Sequence, residues 1–183
     1  MVNNDYIFPL DASRITWDTK MKSKWDVTSF RSAGQMRKAL VQQSRPQWTF
    51  EIVFPMLDKR EVDKLTAFHA MCKGSWHPFF YKDYERYAVV GKELELVDGI
   101  YQAVIPFDAY EEPAELIDRV VMWVNGVKST SFTVDGGRIL TAATGDIKFD
   151  YEYYFKVIFS DTLTVTQKFY DFYKVSLQLE VVQ

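Results

Sequence analysis

Two carboxylates two positions apart, Asp83 and Glu85, stand in the stretch FFYKDYERYAVV, Phe79 to Val90. Residues two apart on a strand point to the same side, about 7 Å apart by the strand rise. Such a pair on an aromatic rim could do the work of a glycoside hydrolase: one acid protonates the leaving oxygen and the other acts as nucleophile or base. The same residues also suit a surface strand, and Asp83 suits a turn in which its side chain accepts from nearby backbone N–H groups. No second element completes a catalytic constellation. GxSxG, HExxH, a P-loop and a GxGxxG after a strand are all absent. Two histidines, His69 and His77, and a single cysteine, Cys72, offer little for zinc and exclude a CxxC site or an internal disulfide. Catalytic, metal-binding and cofactor-binding residues are therefore expected to be none, and the chain is not expected to be an enzyme. Trp25, Trp48, Trp76 and Trp123 are scattered along the sequence and read as core or interface residues.

The elements that position these residues are mostly strands. Tyr6 to Leu10 reads as a short strand that Pro9 confines to an edge or an end. Lys24 to Phe30 alternates weakly up to a break at Gly34, and Met36 to Val41 is either a strand or a helical turn. In QWTFEIVF, Trp48, Phe50, Ile52 and Phe54 share one face. A helix is expected over about Lys59 to Lys73. Asp58 and Glu61 have capping-box spacing, and Val62, Leu65, Phe68 and Cys72 recur on one face. Gly74 suits the left-handed C′ position, Cys72 reads as a buried, inert thiol, and His69 lies on the flank of the apolar face. Beyond the helix, HPFFY and ERYAVV are strand-like. Asp98-Gly99, Asn125-Gly126 and Asp135-Gly136-Gly137 each sit between apolar runs and predict hairpins. These pair Leu94–Val97 with Tyr101–Ile105, Val120–Val124 with a strand from Val127, and Phe132–Val134 with Arg138–Leu140. Glu111-Glu112-Pro113 reads as a loop, and Tyr151–Phe159 and Tyr173–Val182 as the last long strands.

The chain of 183 residues is long enough for one substantial core or a domain with a small insertion. Hydrophobic content of 48% with 26% charged residues is that of a globular protein, and the 16% aromatic content leans toward β-structure. The stretch from 91 to 150, dense in turns and acids, reads as a small β insertion. Residues 1–90 and 151–183 then form one discontinuous β domain of sandwich or split-barrel type with one packed helix. A net charge of −3 exerts no general pull on nucleic acid. No apolar run approaches the roughly 18 residues of a membrane span, and MVNNDYIF lacks the features of a secretory signal. The lone thiol suits assembly in a reducing cytoplasm. Charge is nevertheless segregated. Arg14 to Arg45 holds eight basic residues against Asp18 and Asp26, whereas Glu93 to Asp118 holds eight acidic residues and no basic one. These are either two solvated segments or two faces that meet in an assembly.

The order of several short motifs resembles the distal tail proteins of long-tailed phages, in the branch shared with gene transfer agents. Phe8-Pro9 matches an opening FP strand. SAGQMRKAL corresponds to SG-x-x-x-R, with an extra residue between Ser32 and Gly34 and with Arg37 kept. Arg45-Pro46 matches an arginine-proline entry to a strand. Phe68 to Gly74 is an F-x-x-x-x-G passage with one residue more, and Phe79 to Asp83 matches F-x-F-x-D. Val97 to Ala103 stands for a GDG…FQL hairpin, with the aromatic-Gln pair Tyr101-Gln102 kept and the first glycine lost. Val121 to Gly126 corresponds to V-x-V-x-G. Tyr153 to Leu163 represents F-x-V-x-V-R-F-D-x-D-x-L, with Ile158 in place of the arginine, and Val175 to Val181 matches a closing S-I-x-L-x-E strand. Each motif is short, and their collinear order over almost the whole chain carries the resemblance.

What the resemblance implies is a structural virion protein: a homohexameric ring at the distal end of the tail, joining the tail tube protein to the baseplate hub protein. It would be assembled in the host cytoplasm. Neither a membrane nor sequence-specific nucleic acid is expected as a partner. A cyclic ring closes by heterologous contacts, so each copy needs two different complementary patches. The charged segments supply one candidate pairing, Lys20, Lys22, Lys24 and Arg31 against Glu111, Glu112 and Glu115. Two other readings stay open: a carbohydrate-binding module of a phage tail that contacts the host surface, and a glycosidase-like enzyme acting through Asp83 and Glu85.

Overall fold

A computed structural model of the chain describes residues 6–10, 19–31, 36–160 and 162–182. Arg14 and residues 32–35 of the SAGQMR motif, including the break expected at Gly34, lie outside these residues. Among the described residues there are seventeen strands and one α-helix. The class is the mainly β one expected, open sheets with a single packed helix, consistent with a β-sandwich. The chain divides into two compact units: Pro9–Pro78 with Val157–Gln183, and Met1–Phe8 with Phe79–Lys156. The acidic stretch 91–150 lies wholly inside the second, which also takes in both strands of the FFYKDYERYAVV segment.

The first unit is built on β1 (Lys20–Lys24), β4 (Gln47–Asp58), β16 (Thr164–Phe169) and β17 (Phe172–Val181). β17 lies against β4 along one edge, and β1 pairs with the outer edge of β4, all antiparallel. The other edge of β17 is shared, first by β16 and then by the end of β15 (Ile147–Phe159), where Val157 faces Val181. Alternation decides which side is buried. Phe50, Ile52 and Phe54 of β4 and Val175, Leu177 and Leu179 of β17 all point into the core.

Helix α1 (Lys59–Met71) follows β4 without a break. The expected capping box forms: Asp58 Oδ1 accepts from Glu61 N at 2.7 Å, and Glu61 Oε2 accepts from Asp58 N at 3.0 Å. Val62, Leu65 and Phe68 are its buried face, and it packs on β4 and β17. Burying three such side chains stabilises the unit by roughly 1.5–3 kcal/mol each. The helix stops two residues short of Lys73. Cys72 is its C-cap, so Lys73 takes the left-handed C′ position (φ +52°) and Gly74 (φ +62°) comes after it. Gly74 N donates to His69 O and Lys73 N to Ala70 O, the Schellman pattern that satisfies the last carbonyls. Cys72 has no exposed surface, and the half-buried His69 sets its ring edgewise against Phe159 at 4.8 Å.

In the second unit, a sheet runs from β12 (Val127–Ser129) through β11 (Leu116–Val124) to β15, which also pairs with β5 (Phe79–Tyr81) and β6 (Ala88–Lys92). A second sheet has the order β13 (Thr133–Asp135), β14 (Arg138–Leu140), β8 (Ile100–Gln102), β7 (Leu96–Val97). The three hairpins signalled by Asp-Gly and Asn-Gly are all present, with strands shorter than expected around Asp98-Gly99. Glu111-Glu112-Pro113 is not a loop. It belongs to β10 (Tyr110–Pro113), which pairs with β9 (Val104–Phe107) across a turn where Asp108 takes φ +59°. Tyr6 to Leu10 is not a strand either. Ile7 makes a single parallel bridge to Phe80, and Phe8 N donates to Phe80 O at 2.9 Å.

Two side chains hold these layers together. Gln102 Nε2 donates to Ala103 O, Ala114 O and Gly137 O at 2.9–3.2 Å, tying three segments at one point. Tyr151 Oη donates to Val104 O and accepts from Val104 N, fastening β9 to β15. Gly137 is required by proximity rather than by φ, because a Cβ there would stand 1.7 Å from Ala114 O.

Candidate functional site

Asp83 and Glu85 lie beyond the end of β5, in the turn that leads to β6, not on one face of a strand. The same-side geometry expected of a strand-borne carboxylate pair therefore does not form. Asp83 is 9% exposed and Glu85 is exposed. Asp83 Oδ1 accepts from Glu85 N at 3.3 Å and Asp83 O accepts from Arg86 N at 3.1 Å, so the residue closes its own turn, as its sequence context allowed. Burial pushes the Asp83 carboxyl above the usual carboxylate range, with the Glu85 charge adding to the rise; the Glu85 N–H bond and Arg86 oppose it. Next to it, Lys82 pairs with Glu152, which also accepts from Arg119 Nη1 at 3.1 Å. The ammonium sits over the rings of Tyr87, Tyr154 and Tyr84, at 4.6, 5.8 and 5.9 Å from their centroids. The aromatic stretch thus encloses its own lysine. Chemically, this arrangement locks a turn.

The residues of the charge-pairing expectation occupy less uniform places. Lys20, Lys22 and Lys24 lie on β1, whose pairing with β4 puts Lys20 opposite Glu51. Lys22 bonds the Glu51 carboxylate and holds its pKa below the usual value. On the acidic side every member has a partner within the chain. Glu111 pairs with Lys92, Glu115 with Lys156 at 2.8 Å, and Glu112, only 6% exposed, accepts from Tyr110 Oη at 2.9 Å. The trio is therefore part of the second unit's internal bonding rather than one open acidic patch. Sequence spacing cannot show this, because Lys92 and Lys156 are distant in the chain.

Arg31 is placed differently. It ends β2 (Val27–Arg31), which among the described residues pairs only with β3 (Arg37–Val41) as an antiparallel ribbon. Gln42 N donates to Asp26 O at 3.1 Å and Gln42 Nε2 to Thr28 Oγ1 at 2.9 Å, which fixes the base. All ten strand residues are exposed. One face carries Val27 with Val41, Ser29 with Ala39, and Arg31 with Arg37; the other carries Thr28 with Leu40 and Phe30 with Lys38. Phe30 and Leu40 are 57% and 61% exposed. A lone two-stranded ribbon is marginal in water, and an exposed strand edge is a template for another chain. The sequence showed a weak alternation over Lys24 to Phe30 and left Met36 to Val41 open between a strand and a helical turn. The structure makes the second a strand, and the isolation of the pair was not legible, because alternation does not say whether a face has a partner.

Among the described residues, no group of three or more His, Cys, Asp or Glu is placed to hold a metal ion, and no helix is long and apolar enough to cross a membrane. Comparison with protein-family models and with curated proteins finds no match to this chain.

Proposed function

We propose that the chain is a structural virion protein of a long-tailed phage, forming a homohexameric distal tail ring between the tail tube and the baseplate hub. The observation that carries this reading is the β2–β3 ribbon: ten exposed residues, four large apolar side chains among them, on a hairpin whose strands pair, among the described residues, with each other and with no further strand. Such a ribbon is best suited to a protein surface, because burying Phe30, Leu40, Val27 and Val41 supplies what the isolated hairpin lacks. Arg31 and Arg37 stand directly opposite each other near its tip. Like charges in that position repel, and a carboxylate on the receiving surface relieves them. The collinear motifs from Phe8-Pro9 to the closing strand support the tail assignment, and the SAGQMR motif lies in the sequence between the two strands of this ribbon, with its Arg37 beginning β3.

Labelling tests the reading directly. A gold-tagged antibody against the chain should mark the distal end of the tail in the phage that encodes it, and native mass spectrometry of the released tail tip should give six copies. Labelling of the capsid, or a protein absent from purified particles, overturns it.

A further inference from the structure

The second unit contains a cleft of about 350 Å³ that the ring reading does not use. That size is in the range of small-molecule sites. One wall is Trp123 of β11. Trp123 is directly opposite Lys148 of β15, and Val121 is opposite Asp150, so Trp123, Lys148 and Asp150 share the outward face of the sheet.

The tryptophan is held rather than merely present. Its Nε1 donates to Asp150 Oδ2 at 2.7 Å, and Asp150 Oδ1 accepts from Gly91 N at 2.7 Å. Both oxygens of one carboxylate thus fix a half-buried indole that lines the cleft. Gly91 and Gly126 line the same cleft, and neither has a heavy atom within 4 Å of where a Cβ would stand. Their missing side chains leave room for a flat or ring-shaped ligand. Polar groups stand beside the ring. Lys148 Nζ lies 3.1 Å from Glu93 and 3.9 Å from Asp146, and its ammonium has three donors to distribute. Lys148 and Asp146 keep 42% and 60% of their side-chain surface exposed, so both still reach a ligand.

A rigid indole face beside a lysine and a carboxylate matches the two sides of a pyranose, an apolar C–H face and a rim of hydroxyls that both donate and accept. The cleft lining holds two carboxylates, Asp146 and Asp150, against one lysine, which Glu93 also pairs, and this excess disfavours an anionic ligand such as a nucleotide. We infer that this cleft binds a neutral saccharide, with one sugar ring stacked on Trp123 and its hydroxyls shared between Lys148 and Asp146. The inference is independent of the ring reading and holds whether or not six copies assemble.

Saturation-transfer NMR with the full chain tests it, using maltotriose, cellotriose and triacetylchitotriose as neutral probes and adenosine monophosphate as the anionic control. At least one trisaccharide should bind. Trp123→Ala should weaken it roughly tenfold or more, equivalent to about 1.4 kcal/mol or more. Lys148→Met and Asp146→Asn, both at exposed positions, should each weaken it several-fold with the fold intact by circular dichroism. Trp76→Ala, which removes an exposed indole elsewhere, should leave binding unchanged. The proposal is overturned if none of the trisaccharides binds, if binding is unaffected by Lys148→Met and Asp146→Asn, or if adenosine monophosphate binds more tightly than every sugar.

Discussion

Asp83 shows how one residue type gives opposite signals in sequence and in structure. Beside Glu85 it suggests acid–base chemistry, yet its carboxyl is buried and closes a turn. The raised pKa has a consequence for stability, because folded Asp83 keeps its proton to higher pH than the unfolded chain does. Below the ordinary carboxylate range both states are protonated and the contribution is fully present. As pH rises from there through the raised folded value, the unfolded chain ionises first and stability is lost. Asp83→Asn keeps the acceptor for Glu85 N and removes the charge. It should unfold at the same or higher denaturant concentration at pH 7 and lose the part of the acid-range pH dependence due to this group; a clear loss of stability at pH 7 would contradict this. Gln102 belongs to the same scale. Its three carbonyl partners make it a knot between segments, and Gln102→Ala should cost about 1–3 kcal/mol in urea unfolding with an unchanged m-value.

For single elements, the strongest expectation concerns α1. Leu65 has no exposed surface, so Leu65→Ala should cost roughly 2–5 kcal/mol, read as a lowered melting temperature. Asp58→Ala, losing half the capping box, should cost about 1 kcal/mol. If Leu65→Ala melts with the wild type, α1 is not packed as described. The legible elements were those with a local physical signature. The capping box, the Val62-Leu65-Phe68 stripe, the alternation of Val175 to Val181 and the glycine-bearing turns each show themselves within a few residues. What escaped had no such mark. The turns at Asp108 and Asp171 place a non-glycine residue at positive φ, so β9–β10 and β16–β17 carried no Gly signal. The helix end was misjudged because Lys73 accepts the left-handed conformation that glycine normally takes. In the candidate sites, the residue types were readable. The partners of Glu111 and Glu115, and the Asp150 bond that fixes Trp123, depend on long-range register that no short window contains.

At the scale of the molecule, the question is what covers the β2–β3 ribbon. Phe30→Asp with Leu40→Asp removes apolar surface from one face without touching either compact core. Monomer stability should stay within about 0.5 kcal/mol of wild type for such surface changes, while assembly into the proposed ring should fail. Sedimentation of wild type and variant beside purified tail tubes checks both halves. Assembly at the wild-type level in the variant would place the ring contact elsewhere. The charge contribution should be concentrated at Arg31 and Arg37 rather than at Glu111, Glu112 and Glu115, whose carboxylates are engaged within their own unit. If the proposed ring forms, raising salt should therefore slow the association step while leaving the assembled ring in place, because screening acts mainly on encounter between exposed charges.

The sealed sulfur at the end of α1 gives the chain a clock. Cys72 is the single thiol of the sequence, it has no exposed surface, and burial pushes its pKa up, so a thiol reagent in solution finds neither access nor thiolate. The waiting time for labelling is then the waiting time for that end of the helix to open. Expected labelling by an aromatic disulfide reagent is slow and single-exponential, and it accelerates with urea in proportion to the opened population. Incubated in this way, intact particles and isolated protein would report, by the lag between their traces, how far the assembled state delays opening of the subunit.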